Sequence, residues 1–287
     1  MRILIKRLAA LGDVILMTPI VKHARNLYPD AHIAISTLYP QVFEQNPYFN
    51  ELVNPHAPVQ GYDKVIDLDG CYEASPSMHA IDAYSIKAFN STNYDKSTEL
   101  FLKLSDRVHV YNEASSLNLF RCVVIHPSVS WPSRTLPRET WLEVIDKLIS
   151  KGLSVIIVGT NNDLDLGPTR HHVYNLKNMF SIHQVSYLIS KALCFIGTDS
   201  SMVHVAGTTK TPIVGIFTCV KAEYRLPYRN GQYDSLCATV KPDIDCYGCL
   251  EKHISATNLA CDRGDNACVK MIKSDNILKA LDSVIGT

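Results

Sequence analysis

Residues 2–17, RILIKRLAALGDVILM, decide the first reading of the chain. Apolar Ile3 and Ile5 alternate along RILIKR, the pattern of a short strand. The run ends at Gly12, and from Asp13 to Leu27 the apolar positions follow helical spacing, with Pro19 forcing a kink or a shifted start. Strand, glycine turn and helix are the opening unit of an open α/β sheet, which binds ligands beyond the carboxyl ends of its strands. Asp13 sits there. It has two readings, a carboxylate capping the helix and a base at the mouth of a cleft. Gly12 serves a turn or a close ligand approach. RLAALGDV is no GxGxxG fingerprint, so a nicotinamide grip is unsupported.

The alternation continues downstream. AHIAIST and YDKVIDLD read as strands, PQVFEQN and HAIDAYSIKAFN as helices, and DRVHVY as a short strand. A boundary is expected between Asn112 and Arg121, giving domains 1–118 and 119–287. The pattern then restarts. RCVVIHP, LSVIIVG, LCFIGTD and PIVGIF are strands. Helices start after Pro137, over SIHQVSYLISKA and at SSMVHVAGTT. A last amphipathic helix follows Ser274, the expected N-cap. The fold class is therefore α/β, two Rossmann-like halves with parallel sheets.

The 287 residues are 46% hydrophobic, enough for a substantial core. Lys plus Arg and Asp plus Glu both number 28, so net charge supplies no field for nucleic acid. The longest apolar runs are strand-sized, and the basic start lacks a clear cleavage site, which reads as cytoplasmic or at a membrane face reached from the cytoplasm.

Two loops carry further chemistry. In IHPSVSWPSRTLPRETW, Ser133 and Arg134 follow a buried strand, and the guanidinium fork suits phosphate; a solvated loop arginine is the alternative. In FIGTDSSMVHVAGTTKTP, Asp199, Ser200 and Ser201 open a helix where an anion can sit, and His204 lies one turn on. A hydrogen-bonded core histidine is the competing reading. Nine cysteines are unevenly spread, four of them as Cys246-x2-Cys249-x11-Cys261-x6-Cys268. That spacing suits a structural zinc or iron held by four thiolates, with Cys219 and Cys237 as spares; reduced core thiols or disulfides are the alternatives.

Three stretches, LGDVILMTPIVKHARNLYPDAHI, VIHPSVSWPSRTLPRETW and FIGTDSSMVHVAGTTKTPIVGIF, in this order, resemble the heptosyltransferase family, the ADP-heptose lipopolysaccharide transferases of glycosyltransferase family 9. The resemblance implies a GT-B arrangement, two Rossmann-like domains facing across a cleft. It implies Asp13 as general base and Arg134, where many relatives have Lys, on the donor diphosphate. Asp199, Ser200 and Ser201 would line the nucleotide-sugar site, with serine where the family has glycine. Asp163, in GTNNDLD, stands where a glutamate holds the ribose. The four-cysteine segment, within 237–268, is similar to one in a branch that modifies autotransporter proteins and carries iron; His79 and Asp82 resemble an acceptor-side stretch of that branch.

The implied reaction is inverting transfer of a heptose or related sugar from an ADP-sugar to a glycan or protein hydroxyl, with no catalytic metal expected. Self-association and peripheral membrane contact are compatible with this reading. A nucleotide-sugar epimerase, a non-catalytic nucleotide-binding module with a metal-stapled tail, and a transferase acting on modified nucleic acid are the rivals. Neutral charge weighs against the last.

Overall fold

A computed structural model describes residues 1–129, 131–229, 232–233, 236–252 and 260–286, with backbone only at 232–233 and 251–252. The first sheet is built from β1 (Arg2–Lys6), β2 (His32–Ser36), β3 (Glu51–Val53) and β4 (Lys64–Asp67), all parallel, in the order β3-β2-β1-β4. Ile3, Ile5, Ile33 and Ile35 are buried in it. Helices α1 (Leu11–Leu16), α2 (Thr18–Leu27), α3 (Ala80–Phe89) and α4 (Leu104–Ala114) accompany this sheet. The expected kink lies at Met17, between α1 and α2, with Pro19 in the first turn of α2, where its missing N–H costs nothing.

The second sheet is larger. Strands β5 (Cys122–His126), β6 (Ser154–Ile157), β7 (Val173–Asn175), β8 (Cys194–Thr198) and β9 (Ile213–Ile216) are followed by a two-stranded hairpin, β10 (Tyr228–Arg229) with β11 (Gln232–Tyr233). Strand β12 (Cys237–Val240) then returns to the sheet, whose order is β12-β9-β8-β5-β6-β7 and whose pairings are all parallel. The strands alternate between two cores, as period two requires. Val123 and Ile125 face one that includes α5 (Arg138–Ser150) and α9 (Ser274–Ile285). Cys122 and Val124 face the other, which takes in α6 (Ile182–Lys191) and α7 (Ser201–Gly207) and runs on into the first sheet. The short helix α8 (Ala267–Met271) precedes α9. Among the described residues, no helix is long and apolar enough to cross a membrane.

Three local expectations change. DRVHVY is not a strand; it lies in α4, whose Val110 and Ala114 are buried and which packs on α6. Asp106 accepts from the Lys103 N–H (3.1 Å) and from Gln184 (3.2 Å), capping the helix and tying it to α6, so tertiary contact overrides the β-branched composition. Ser274 is the first helical residue, not the N-cap. Its hydroxyl donates to Glu143 (2.8 Å) and accepts from Lys147 (2.8 Å), bolting α9 to α5. Strands β3, β7 and β12 are short and carry no alternation that marks them in the sequence.

Besides α4 on α6, further contacts bring the halves together. Helix α1 packs on α7. At the start of α3, His79 Nδ1 accepts from the Ile81 N–H (3.1 Å), while Nε2–H donates to the Leu226 carbonyl (2.8 Å) across the interface. Asp82 accepts from Lys96 (2.7 Å) and from the Tyr228 hydroxyl (2.9 Å). His79 and Asp82 thus join the lobes rather than stand open to solvent.

Trp141 is the largest fully buried side chain, on α5 against the second sheet. Trp141→Ala should cost about 3–5 kcal/mol, read as a lower denaturant midpoint. Burial pushes the His79 imidazole down from 6.5 to about 4, only partly offset by its bond to Leu226. The folded state therefore binds fewer protons than the unfolded chain between these values. Stability should fall as pH drops from about 6.5 towards 4, and the slope should flatten in His79→Gln.

Candidate active site

The loop after β1 and the start of α1 place Gly12 and Asp13 at the carboxyl end of the first sheet. Facing them across the interface is the turn from β8 into α7, with Asp199, Ser200, Ser201 and His204. Between them lies a cavity of about 350 Å³ lined by Gly12, Asp13, Arg134, Asp199, Ser200, Ser201 and His204. Seven residues singled out from three separate stretches of sequence thus share one crevice.

Gly12 explains how close the halves come. A Cβ on it would lie 2.7 Å from the His204 ring and 3.3 Å from the Ser201 Cα. The glycine makes room for α7, so close approach of backbone, more than a turn, is its use here.

The Asp13 side chain is 18% exposed. Its Oδ2 accepts from the buried Arg7 guanidinium (2.6 Å), the Ala10 N–H (3.0 Å) and the Tyr72 hydroxyl (3.4 Å). The Ala10 contact is a helix cap, so that reading holds. Yet all of these contacts fall on one oxygen, and Oδ1 keeps its lone pairs. Arg7 also grips Glu73 (2.8 Å) and the Leu68 carbonyl (3.1 Å). Burial, together with neighbouring Asp13 and Glu73, raises the Tyr72 phenol above its ordinary value, so it stays protonated and donates.

On the other wall, Arg134 stacks over the Trp131 ring at 3.7 Å, pairs with the Asp199 carboxylate (3.1 Å) and donates to the Asp199 carbonyl (3.3 Å). It is therefore not the solvated loop arginine of the alternative reading. His204 is 5% exposed, and burial lowers its pKa, so it is neutral at pH 7. Its Nδ1 has no hydrogen-bond partner among the described residues. It is both a core histidine and a wall of the cavity.

Two expected site residues lie elsewhere. Ser133 is buried beneath the loop, its hydroxyl on the Cys219 sulfur (3.3 Å), and does not reach the cavity. Asp163 does not line it either. Its Oδ2 accepts from the Thr160 N–H (2.7 Å) and hydroxyl (3.1 Å) and faces His126 Nε2 at 3.4 Å. Burial alone would raise this carboxyl, but His126 and Thr160 outweigh it and hold it down at about 2.

The expected four-cysteine metal insertion is not seen. Among the described residues, no three His, Cys, Asp or Glu side chains group as metal ligands. Cys246 and Cys249 lie in the turn after β12, Cys261 in a loop and Cys268 in α8, packed into the core; 253–259 of this segment lie outside the described residues. Burial raises the Cys249 and Cys268 thiols, and neighbouring Cys219 and Cys261 add to it.

Sequence reading missed Arg7, Tyr39, Tyr72, Trp131 and Arg225, although all but Arg7 line the cavity directly. Arg7 carried one usable signal, a charge immediately after a buried strand. Arg225 lies in an irregular segment without one, its guanidinium 4.5 Å from the Tyr72 ring centroid.

Residues 60–254 match the model of glycosyltransferase family 9 (heptosyltransferase). Among solved structures, the chain is similar to a family 9 glycosyl transferase from Veillonella parvula DSM 2008 (20% identity, 99% of this chain and 97% of that one, TM-score 0.76). It is also similar to E. coli ADP-heptose LPS heptosyltransferase II (15% identity, 99% and 98%, TM-score 0.71). A third is the iron-containing dodecameric glycosyltransferase TibC from enterotoxigenic E. coli H10407 (15% identity, 99% and 75%, TM-score 0.74). At these identities the likeness speaks for the fold, two α/β units consistent with GT-B. No curated protein matches in sequence. With the family model matching more than half of its length, the chain belongs to glycosyltransferase family 9, the heptosyltransferase family, and is a glycosyltransferase that uses a nucleotide-diphosphate sugar.

Proposed function

We propose that the chain transfers a heptose or related sugar from an ADP-linked donor to a hydroxyl on a glycan or protein, with inversion at the anomeric carbon. Residues 1–118 act as the acceptor-side lobe and 119–287 as the donor-side lobe. The observation that carries this reading is the shared cavity, with the Asp13 carboxylate from one lobe opposite Arg134 and the Ser200–Ser201 turn from the other. The heptose and the ADP are supported by the family and by the named activity of the E. coli relative.

The chemistry follows from the groups present. As the bond from anomeric carbon to diphosphate breaks, negative charge grows on the leaving oxygens. Arg134, fixed by its stack on Trp131, and Arg225 stabilise it in a partly enclosed site. The acceptor oxygen attacks from the opposite face, and Asp13 Oδ1 takes its proton. Arg7 holds the Asp13 carboxylate in place through Oδ2. A carboxylate suffices as base, because the hydroxyl proton turns acidic as the new C–O bond forms.

Asp13→Asn should leave donor binding within about twofold and cut turnover by roughly 10²–10⁴, the usual worth of a general base. Mass-spectrometric assay with ADP-heptose, with and without acceptor extract, reads this; near-normal turnover would remove Asp13 from the base role. Arg134→Ala should weaken donor binding by roughly ten- to a hundredfold, as expected for a lost charge-assisted hydrogen bond. Isothermal titration with ADP checks it, and unchanged affinity would separate Arg134 from the diphosphate.

A further inference from the structure

His126 ends β5, and Ser200 and Asp163 lie in the segments that follow its two neighbouring strands, β8 and β6. Ser200 Oγ lies 3.0 Å from His126 Nδ1, and His126 Nε2 lies 3.4 Å from Asp163 Oδ2. His126 is 5% exposed and its ring is enclosed. Gly159, at φ +129°, makes room for the contact: a Cβ there would stand 2.5 Å from Asp163 Oδ2 and 2.9 Å from the His126 ring. Ser200 is the N-cap residue of α7, yet its hydroxyl makes no capping bond to its own helix. A serine at that position ordinarily accepts from the second or third N–H of the helix. Here the hydroxyl is turned towards His126 instead.

The polarity of the chain follows. The Asp163 carboxylate only accepts, so His126 carries its proton on Nε2. The tautomer that suits Asp163 therefore leaves Nδ1 to take the Ser200 O–H. Ser200 Oγ is left with its lone pairs for the cavity, which it lines. An oxygen so oriented suits a ligand hydroxyl and repels a phosphate oxygen. The neighbouring Ser201 Cα packs against Gly12, one residue from Asp13, and Ser200 and Asp13 line the same cavity. Other charges near the chain are Arg134 and Asp199, paired with each other, and Lys177, which donates to the Asp163 carbonyl (3.2 Å).

We propose that Ser200 accepts a hydrogen bond from a hydroxyl of the transferred sugar, and that His126 and Asp163 are positioning residues that fix this polarity. The proposal rests on the nucleotide-sugar reading above and narrows it: Ser200 recognises the sugar, while Arg134 and Arg225 hold the diphosphate.

The test compares ADP-heptose with ADP, using the full chain. Ser200→Ala, His126→Asn and Asp163→Asn should each raise the dissociation constant for ADP-heptose roughly tenfold, the scale of one lost hydrogen bond. Affinity for ADP should stay within about twofold. The Ser200→Ala/His126→Asn double variant should be no weaker than the weaker single, because both remove one interaction, and Ser200→Thr should restore binding. Equal losses for ADP and ADP-heptose, or additive effects in the double variant, overturn the proposal and leave the transferase reading standing. If His126→Asn does not fold, Asp163→Asn and Ser200→Ala decide between the same two results. A wild-type chain that binds neither ligand overturns the donor assignment and this inference together.

Discussion

The site exists because Gly12 has no side chain. The His204 ring occupies the space in which a Cβ would stand, so α1 and α7 meet almost backbone to backbone. Everything chemical depends on that approach. Asp13 follows Gly12 directly, and Ser200 and Ser201 open the helix that carries His204. A methyl group here would need neighbouring atoms to move by tenths of an ångström or more in a packed interior that resists compression. The same device recurs at Gly207, where a Cβ would lie 2.6 Å from Pro227.

The cavity has one arginine–carboxylate pair on each wall. Arg7, only 3% exposed, holds Asp13 and Glu73 from the first lobe; Arg134 holds Asp199 from the second. Buried charges of this kind tolerate neither loss of a partner nor poor geometry. Here they put a carboxylate oxygen and guanidinium groups on opposite sides of one small space. The zero net charge of the chain is silent about this, since local arrangement, not total charge, sets the field in a cleft.

Much of this was legible in the residues themselves. Buried parallel strands such as CVVIH and CFIGT are short apolar runs closed by turn residues. The Gly12–Asp13 turn, Arg134 and the Asp199–Ser200–Ser201 opening of α7 stand out as polar groups at strand ends. Where local reading failed, a distant partner had decided the outcome. Val108 and Val110 favour a strand, but Gln184 and Asp106 hold them in a helix. Asp163 faces His126 and lies off the cavity, and Ser133 packs on Cys219 beneath the loop. The cysteine spacing suggested a ligand set, but spacing says nothing of whether the turn, the loop and α8 bring the sulfurs together.

By itself, then, the sequence determined the alternation of strands and helices and the polar residues at the strand ends, because both follow from periodicity and turn chemistry within a few neighbours. Only the tertiary structure decided which of those residues share a cavity, which face each other behind it, and that Arg7, Tyr72 and Arg225 join them. Those outcomes depend on how closely two sheets approach, and that distance is set by residues far apart in the chain.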